Sequence, residues 1–234
     1  MTPKEAQAQS RGYLLIGKES DFINISFQKK IELLHSKIPI ERTLGARLLI
    51  HSKSIETTHY LINALKSEGK LYSKIEICNT LSLFQELAIE PLIKCLGKIG
   101  NNQHKAIPDK EFKKDSYPLP RDIASRTIIR IGVKAIPSLI NHLKTDDKEL
   151  LSELIDTIGY IKFYNSVENI LEHLLSCYFS NQQNDLIKWK IIRAMSGIFE
   201  SESFLKREYL KSKNNILKRE IERSLRLIEK RTKE

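Results

Sequence analysis

The sequence predicts an all-α protein, and three observations predict it. Apolar residues recur at steps of three and four, as in LINALKS, SLINHLKT and NILEHLLS, which is the spacing of an amphipathic helix. The phrases AIEPLIKCLGK (88–98) and AIPSLINHLKT (135–145) resemble each other, and a second helical phrase follows each of them. Glycine is scarce inside these phrases. We therefore expect nearly all of the chain to be helical and to consist of repeated helix pairs.

The second helices of these pairs share one frame. Six phrases can be aligned, namely ERTLGARLLIHS, SKIEICNTLSLF, RDIASRTIIRIG, LLSELIDTIGYI, IKWKIIRAMSGI and LKREIERSLRLI. Their frame-start residues are Arg42, Lys74, Arg121, Leu151, Lys188 and Lys218. Successive frame starts are 32, 47, 30, 37 and 30 residues apart. The spacing of 47 predicts an insertion of about fifteen residues between the second and third repeats.

This frame resembles the HEAT-repeat family. The phrase from Arg121 to Gly132, with Ala124 and Ser125 at its small positions, is similar to that family's pattern of an Arg, two small residues and an Ile-Gly ending. The resemblance covers residues 27–234 and implies a right-handed α-solenoid, an α-α superhelix, of about six HEAT-like helix pairs. Such helix pairs must stack on one another, because a single pair cannot bury its apolar face alone.

Two segments depart from the repeat. Residues 1–26 precede the first pair, and we expect them to form an N-terminal capping segment. Residues 101–120 form a loop insertion, because Pro108, Pro118 and Pro120 exclude a continuous helix. We expect the loop to be ordered, because Phe112 and Tyr117 can dock it on the solenoid. The candidate site residues of the loop are His104, Lys110, Phe112, Lys113, Lys114 and Tyr117. The alternative is a tolerated surface insertion without function, since long loops cost little closure entropy.

The composition is that of a folded protein with a basic surface. Hydrophobic residues make up 41% and charged residues 29% of the chain, and 39 Lys and Arg against 29 Asp and Glu give a net charge of +10. This charge favours acidic partners, such as nucleic acid, an anionic membrane surface or an acidic protein.

Targeting and cysteine patterns predict a cytoplasmic protein. The apolar run from Tyr13 to Ile16 is too short for a signal peptide, and no stretch approaches the length of a membrane span. Cys78, Cys95 and Cys177 lie far apart in apolar helical phrases, which predicts buried reduced thiols rather than a disulfide framework or a zinc site.

Helix geometry predicts which side chains of the second helices face a partner. At about 100° per residue, the frame-start residue lies at the edge of the buried face, and the residue five positions later lies nearly opposite the core. We therefore assign the frame-start Arg and Lys residues to the scaffold. The later position forms the predicted column of Arg47, Asn79, Arg126, Asp156, Arg193 and Arg223 on the concave face. Arginine can form two parallel hydrogen bonds to a phosphate or a carboxylate, and aromatic residues lie on the same side as the column. The predicted binding residues are therefore Arg47, Arg126, Arg130, Arg193, Arg223, Trp189 and Tyr160.

Common catalytic and cofactor motifs are missing from the sequence. It contains no Gly-x-Gly-x-x-Gly, P-loop, His-Glu-x-x-His or Gly-x-Ser-x-Gly pattern, and we expect neither a cofactor nor a bound metal. His104 has Asp109, Glu111 and Asp115 near it, but their spacing matches no metal-ligand pattern.

The sequence therefore favours a non-enzymatic HEAT-repeat binding scaffold that uses a basic concave face to bind an acidic partner, either a protein or nucleic acid. A monomer is favoured. The alternative is an enzyme, because Asp156, Tyr160 and Trp189 on the exposed side resemble the carboxylate and aromatics of helical-repeat DNA alkylation-repair glycosylases. That resemblance implies action on damaged bases, with Asp156 stabilising positive charge that develops on the sugar.

Overall fold

The computed structural model describes residues 2–233, apart from the side chain of Pro3, and the chain is all-helical. Every regular element within this range is an α-helix or a short 3-10 helix, and none is a strand. The chain divides into two compact units, residues 2–95 and residues 96–233. No helix within the described range has the length and apolar character needed to cross a membrane.

The first unit is built on contacts between neighbouring helices. Its α-helices are α1 (Pro3–Ser10), α2 (Phe27–Leu34), α3 (Pro39–Leu48), α4 (Ile55–Ser67), α5 (Leu71–Leu83) and α6 (Glu86–Ile93). Helix α3 packs against α2 and α5, and α4 packs against α5 and α6. Leu48, Leu61 and Leu81 are fully buried in its core. The hydroxyl of Thr80 on α5 donates to the carbonyl oxygen of Ala46 on α3 at 2.9 Å.

The second unit places four helices side by side in chain order. Its α-helices are α7 (Ile123–Ile131), α8 (Ile136–Asn141), α9 (Lys148–Tyr164), α10 (Leu171–Ser180), α11 (Asp185–Ala194), α12 (Glu202–Lys211) and α13 (Asn215–Thr232). Helix α9 packs against α7 and α11, and α13 packs against α11 and α12. The hydroxyls of Ser125 and Thr157 bond across the α7–α9 contact at 2.7 Å. All six aligned phrases are helical, as predicted: they lie on α3, α5, α7, α9, α11 and α13.

Side-chain caps begin many of these helices. The oxygen of the N-cap side chain accepts a backbone N–H of the first turn, which removes one of the unsatisfied donors of a helix start. The residues that cap in this way include Ser26, Ser54, Asp122, Asp147, Asn184 and Asn214. Helix α7 begins at Ile123, shortly after Pro120.

The insertion is an irregular segment that is tied to the second unit at both of its ends. The buried carboxylate of Asp122 accepts hydrogen bonds from the backbone N–H of Gly97 at 3.1 Å and from Nε2 of Gln103 at 2.8 Å. Farther along the insertion, the ring of Tyr117 is buried against Phe163 and Leu227. The insertion therefore packs as part of the second unit.

A glycine on α9 makes room for this ring. A Cβ atom at Gly159 would lie 2.3 Å from the hydroxyl oxygen of Tyr117 and 2.8 Å from the Cβ of Ala194. Glycine is therefore required where α9 meets both the insertion and α11.

Candidate functional site

The predicted arginine column is not an exposed surface in the second unit. Arg193 and Arg223 are only 4% and 1% exposed. Arg193 donates to both carboxylate oxygens of Glu220, at 3.1 and 3.0 Å, and Arg223 donates to Oε1 of the same Glu220 at 3.0 Å. Their predicted role as solvent-facing ligands was wrong, because two guanidinium groups share one carboxylate inside the fold.

Asp156, predicted to lie in the same exposed column, is also buried. Its Oδ2 lies 2.7 Å from Nζ of Lys190, which also bonds Oε1 of Glu153 at 2.9 Å and the carbonyl oxygen of Ser152 at 3.2 Å. Lys190 has 0% of its surface exposed and Asp156 has 5%. Burial raises the pKa of the Glu153 carboxyl, and the ammonium group of Lys190 acts in the opposite direction and lowers it. Two carboxylates thus surround one ammonium group.

The first unit engages its column arginine in a similar but shallower way. Arg47 lies 2.9 Å from Oε2 of Glu19 and 3.0 Å from Oε2 of Glu76. It also donates to the carbonyl oxygens of Leu14 and Leu15, at 3.2 and 3.1 Å. Its side chain is 16% exposed, so the prediction of an open binding arginine was wrong here too.

The two predicted binding arginines on α7, of which only Arg126 belongs to the column, differ from each other. Nε of Arg126 donates to the carbonyl oxygen of Pro120 at 2.6 Å, which attaches the end of the insertion to the helix. Arg130 lies exposed at the end of α7.

Non-helical segments are the physical reason for these corrections. The helical wheel assumes that the side of a helix opposite the core meets solvent. In the second unit the insertion lies over that side of α9, α11 and α13, and in the first unit the residues around Leu14 and Leu15 lie over Arg47. Both non-helical segments place backbone carbonyl oxygens within hydrogen-bond distance of the arginines.

The middle of the insertion lies along α13. Nη2 of Arg223 donates to the carbonyl oxygens of Lys114, at 3.2 Å, and of Ser116, at 2.6 Å. The guanidinium of Arg223 also lies over the ring of Phe112, 5.2 Å from its centroid. Asp115 pairs with Lys230 at 3.2 Å. The side chains of Lys110, Lys113 and Lys114 are left exposed.

A cavity of about 390 Å³ lies between the insertion and helices α9 and α11. It is lined by His104, Pro108, Lys110, Glu111, Phe112, Pro118, Leu119, Pro120, Arg121, Asp156, Trp189 and Arg193. Oδ1 of Asp156 and Nδ1 of His104 are buried and have no hydrogen-bond partner in the described part of the protein. The cavity thus brings together two carboxylates, an ammonium group, an imidazole and two guanidinium groups, and it is the candidate functional site.

Aromatic rings form the floor of this cavity. The guanidinium of Arg193 lies over the ring of Trp189, 3.7 Å from its centroid, and the ring of His104 meets Trp189 edge-on at 5.5 Å. Trp189 is buried rather than solvent-facing, contrary to the prediction. Burial lowers the pKa of His104 to about 4, so its imidazole is neutral at pH 7.

The structure separates the three residues of the predicted enzyme constellation. Asp156 and Trp189 line the cavity, but Tyr160 does not. Its ring packs instead against Tyr117, with ring centroids 6.2 Å apart, and against Tyr164 at 4.8 Å. Asp156 is therefore not framed by Tyr160 and Trp189 together.

Arg121 is the site residue that sequence reasoning missed. We assigned it to the scaffold as a frame-start residue, yet it is exposed, lines the cavity and makes no ion pair with any residue between 2 and 233. Arg42 does behave as a scaffold residue: it bonds both carboxylate oxygens of Glu68, at 2.6 and 2.9 Å, and the carbonyl oxygen of Ser36 at 2.9 Å. One signal in the sequence distinguishes Arg121 from the other frame-start residues: it directly follows the proline-rich end of the insertion.

Comparisons with known proteins identify no family. No protein-family model matches the chain, and no curated protein matches it. The crystal structure of an engineered protein is 13% identical and covers 87% of this chain and 96% of its own, with a TM-score of 0.39. A second engineered protein is 15% identical over 95% of this chain and 62% of its own, also with a TM-score of 0.39. Similarity at this level identifies neither a function nor an evolutionary family.

Proposed function

We propose that the chain is a non-enzymatic binding scaffold, a solenoid of HEAT-like helix pairs that binds an acidic protein. The repeat assignment is supported by the shared frame of the six second helices and by the side-by-side packing of α7, α9, α11 and α13. A scaffold role is supported by the buried charges of α9, α11 and α13, which stabilise one another within the fold.

One observation carries the partner proposal: the insertion places exposed lysines beside the basic face of α13. We call Lys113, Lys114, Arg219, Arg226 and Lys230 the basic strip; all five are exposed. Residues 219, 226 and 230 lie on one face of α13 and span about 16 Å at about 1.5 Å per residue. This strip replaces the predicted arginine column as the surface for an acidic partner, since its side chains reach solvent.

An acidic protein fits the strip better than nucleic acid does. Of the two predicted aromatic binding residues, Trp189 is buried and Tyr160 packs against Tyr117 and Tyr164. Base stacking contributes much of the affinity for single strands. Asp115 also lies within the strip, where it pairs with Arg226 at 3.7 Å and Lys230 at 3.2 Å. A carboxylate at this place would repel a continuous line of phosphates but fits the mixed charges of a protein surface.

The test is charge reversal at the strip with a matched control. The strip variant carries Lys113→Glu, Lys114→Glu and Arg219→Glu. The control carries Lys53→Glu, Lys66→Glu and Lys94→Glu, three exposed lysines of the first unit, and has the same net charge. Binding of fluorescent poly-L-glutamate and of a mixed-sequence DNA oligonucleotide is measured by anisotropy at low and moderate salt.

We expect the strip variant to bind poly-L-glutamate about tenfold more weakly than wild type, and the control to change little, because local potential guides binding more than net charge does. Equal weakening in both variants would show that only net charge matters and would rule out the basic strip as the binding surface. If the wild-type protein binds DNA more tightly than poly-L-glutamate, and the strip variant loses this binding, the partner is nucleic acid rather than an acidic protein.

A further inference from the structure

The cavity beneath the insertion has chemistry that the basic strip does not use. We propose that it binds a small zwitterion of the amino-acid type, whose ammonium group contacts Asp156 and whose carboxylate contacts Arg121 and Arg193. This site would be separate from the surface for an acidic protein, and either could exist without the other.

The acidic end of the cavity is a buried carboxylate with one oxygen left to bond. Oδ2 of Asp156 pairs with Lys190, whereas Oδ1 has no partner among residues 2–233 although the side chain is only 5% exposed. A buried acceptor without a donor is costly, so a ligand N–H at Oδ1 would be strongly favoured. A carboxylate oxygen favours a cationic donor over a neutral one, because the charge-assisted hydrogen bond is the stronger of the two.

The basic end of the cavity consists of guanidinium groups. Arg193 and Arg223 share the single carboxylate of Glu220. Arg193 lines the cavity and uses Nε and Nη2 for Glu220, which leaves Nη1 outside that bidentate pair. Arg121 adds an exposed guanidinium at the same cavity. A carboxylate of the ligand would meet two guanidinium groups there.

These two ends require both charges in one molecule. An inorganic anion would satisfy the guanidinium groups but would leave Oδ1 of Asp156 without a donor. A simple amine would leave Arg121, which lines the cavity and makes no ion pair with residues 2–233, without an anion. A zwitterion satisfies both ends at once, and the neutral imidazole of His104 does not repel its ammonium group at pH 7.

The size and walls of the cavity set the scale of the ligand. Pockets for small molecules have volumes of about 300–1,000 Å³, and this cavity, at about 390 Å³, is near the lower limit. Its remaining walls include Phe112, Leu119 and the prolines 108, 118 and 120. These apolar groups suit the side chain of a single amino acid.

The test is a binding screen with free amino acids and their blocked forms. The twenty L-amino acids are tested by thermal melting and then by calorimetry, each beside its N-acetyl and its C-amide derivative and beside inorganic phosphate. We expect at least one free amino acid to raise the melting temperature and to bind one to one. Each blocked form should bind about tenfold more weakly or worse, because each lacks one charge-assisted contact.

Two variants test the location without removing a buried charge. Arg121→Gln removes an exposed side chain and should weaken binding about tenfold. Leu119→Trp enlarges a half-exposed residue of the cavity wall and should abolish binding. Lys144→Gln, at an exposed lysine that does not line the cavity, is the control. Absence of binding by every amino acid at 10 mM (roughly the weakest affinity of interest), equal binding of a blocked form or of phosphate, or full binding by Leu119→Trp would each overturn the proposal.

Discussion

The two units hold the same kind of arginine at the same place in the repeat frame, but at different depths. Arg47 of the first unit is 16% exposed and bonds carboxylates and carbonyl oxygens under a short N-terminal segment. Arg223 of the second unit is 1% exposed beneath an insertion that contributes the carbonyl oxygens of Lys114 and Ser116. The helices alone therefore do not determine whether this position binds a partner. The segment that covers each helix decides it.

This difference in depth has an energetic consequence. An ion pair near the surface contributes little because water screens it, whereas loss of one partner of a buried pair leaves a charge without compensation. The charges beneath the insertion should therefore be essential for folding, and those of the first unit should be far less so.

The largest predicted effect is at Lys190. Lys190→Met leaves the buried carboxylates of Glu153 and Asp156 without their common cation, and we expect the free energy of unfolding to fall by about 3–5 kcal/mol. Arg47→Met in the first unit removes a partly exposed cation, and we expect a loss of about 1–2 kcal/mol. Urea unfolding of both variants measures the difference. Equal losses would mean that burial beneath the insertion does not distinguish the units.

Sequence reasoning succeeded where structure is local. The periodicity of three and four residues located all six second helices, and Pro108, Pro118 and Pro120 correctly excluded a helix from the insertion. Both features follow from neighbouring residues, since helix period and proline geometry act within a turn or two.

Sequence reasoning failed where distant segments meet. The helical wheel placed Arg193 and Arg223 in solvent because it contains no information about the insertion. The bond from Arg223 to Lys114 joins residues 109 positions apart, and no local pattern predicts such a contact. The same absence of information reversed the assignments of Arg121 and Arg193: the predicted scaffold residue is exposed, and the predicted ligand is buried.

An intermediate loss of stability is expected at Gly159, where α9 packs against the insertion. A methyl group there would overlap the Tyr117 hydroxyl and crowd Ala194, so Gly159→Ala should reduce the free energy of unfolding by about 1–3 kcal/mol through overpacking. We also expect the insertion to detach. Residues 101–120 should resist limited proteolysis in the wild-type protein and be cut rapidly in Gly159→Ala.

Tyr117→Phe is the matched control for this test. The hydroxyl of Tyr117 is buried without a partner in the described part of the chain, so its removal should be neutral or stabilising. The phenyl ring would keep its packing against Phe163 and Leu227. A Tyr117→Phe variant that is cut as quickly as Gly159→Ala would mean that the hydroxyl, rather than the ring, holds the insertion.

The smallest effect concerns pH and again separates the two units. Histidines 35, 51 and 59 of the first unit are exposed, whereas His104, on the insertion itself, packs against Trp189, and burial lowers its pKa from 6.5 to about 4. Between these pH values the unfolded chain binds a proton at this residue that the folded chain does not. The free energy of unfolding should therefore fall as the pH is lowered from about 6.5 to about 4. Urea unfolding across this range should show a shallower fall for His104→Gln than for wild type, while His59→Gln should follow wild type. Parallel profiles for His104→Gln and wild type would mean that solvent reaches the imidazole, and that the insertion encloses the cavity less completely than the buried arginines indicate.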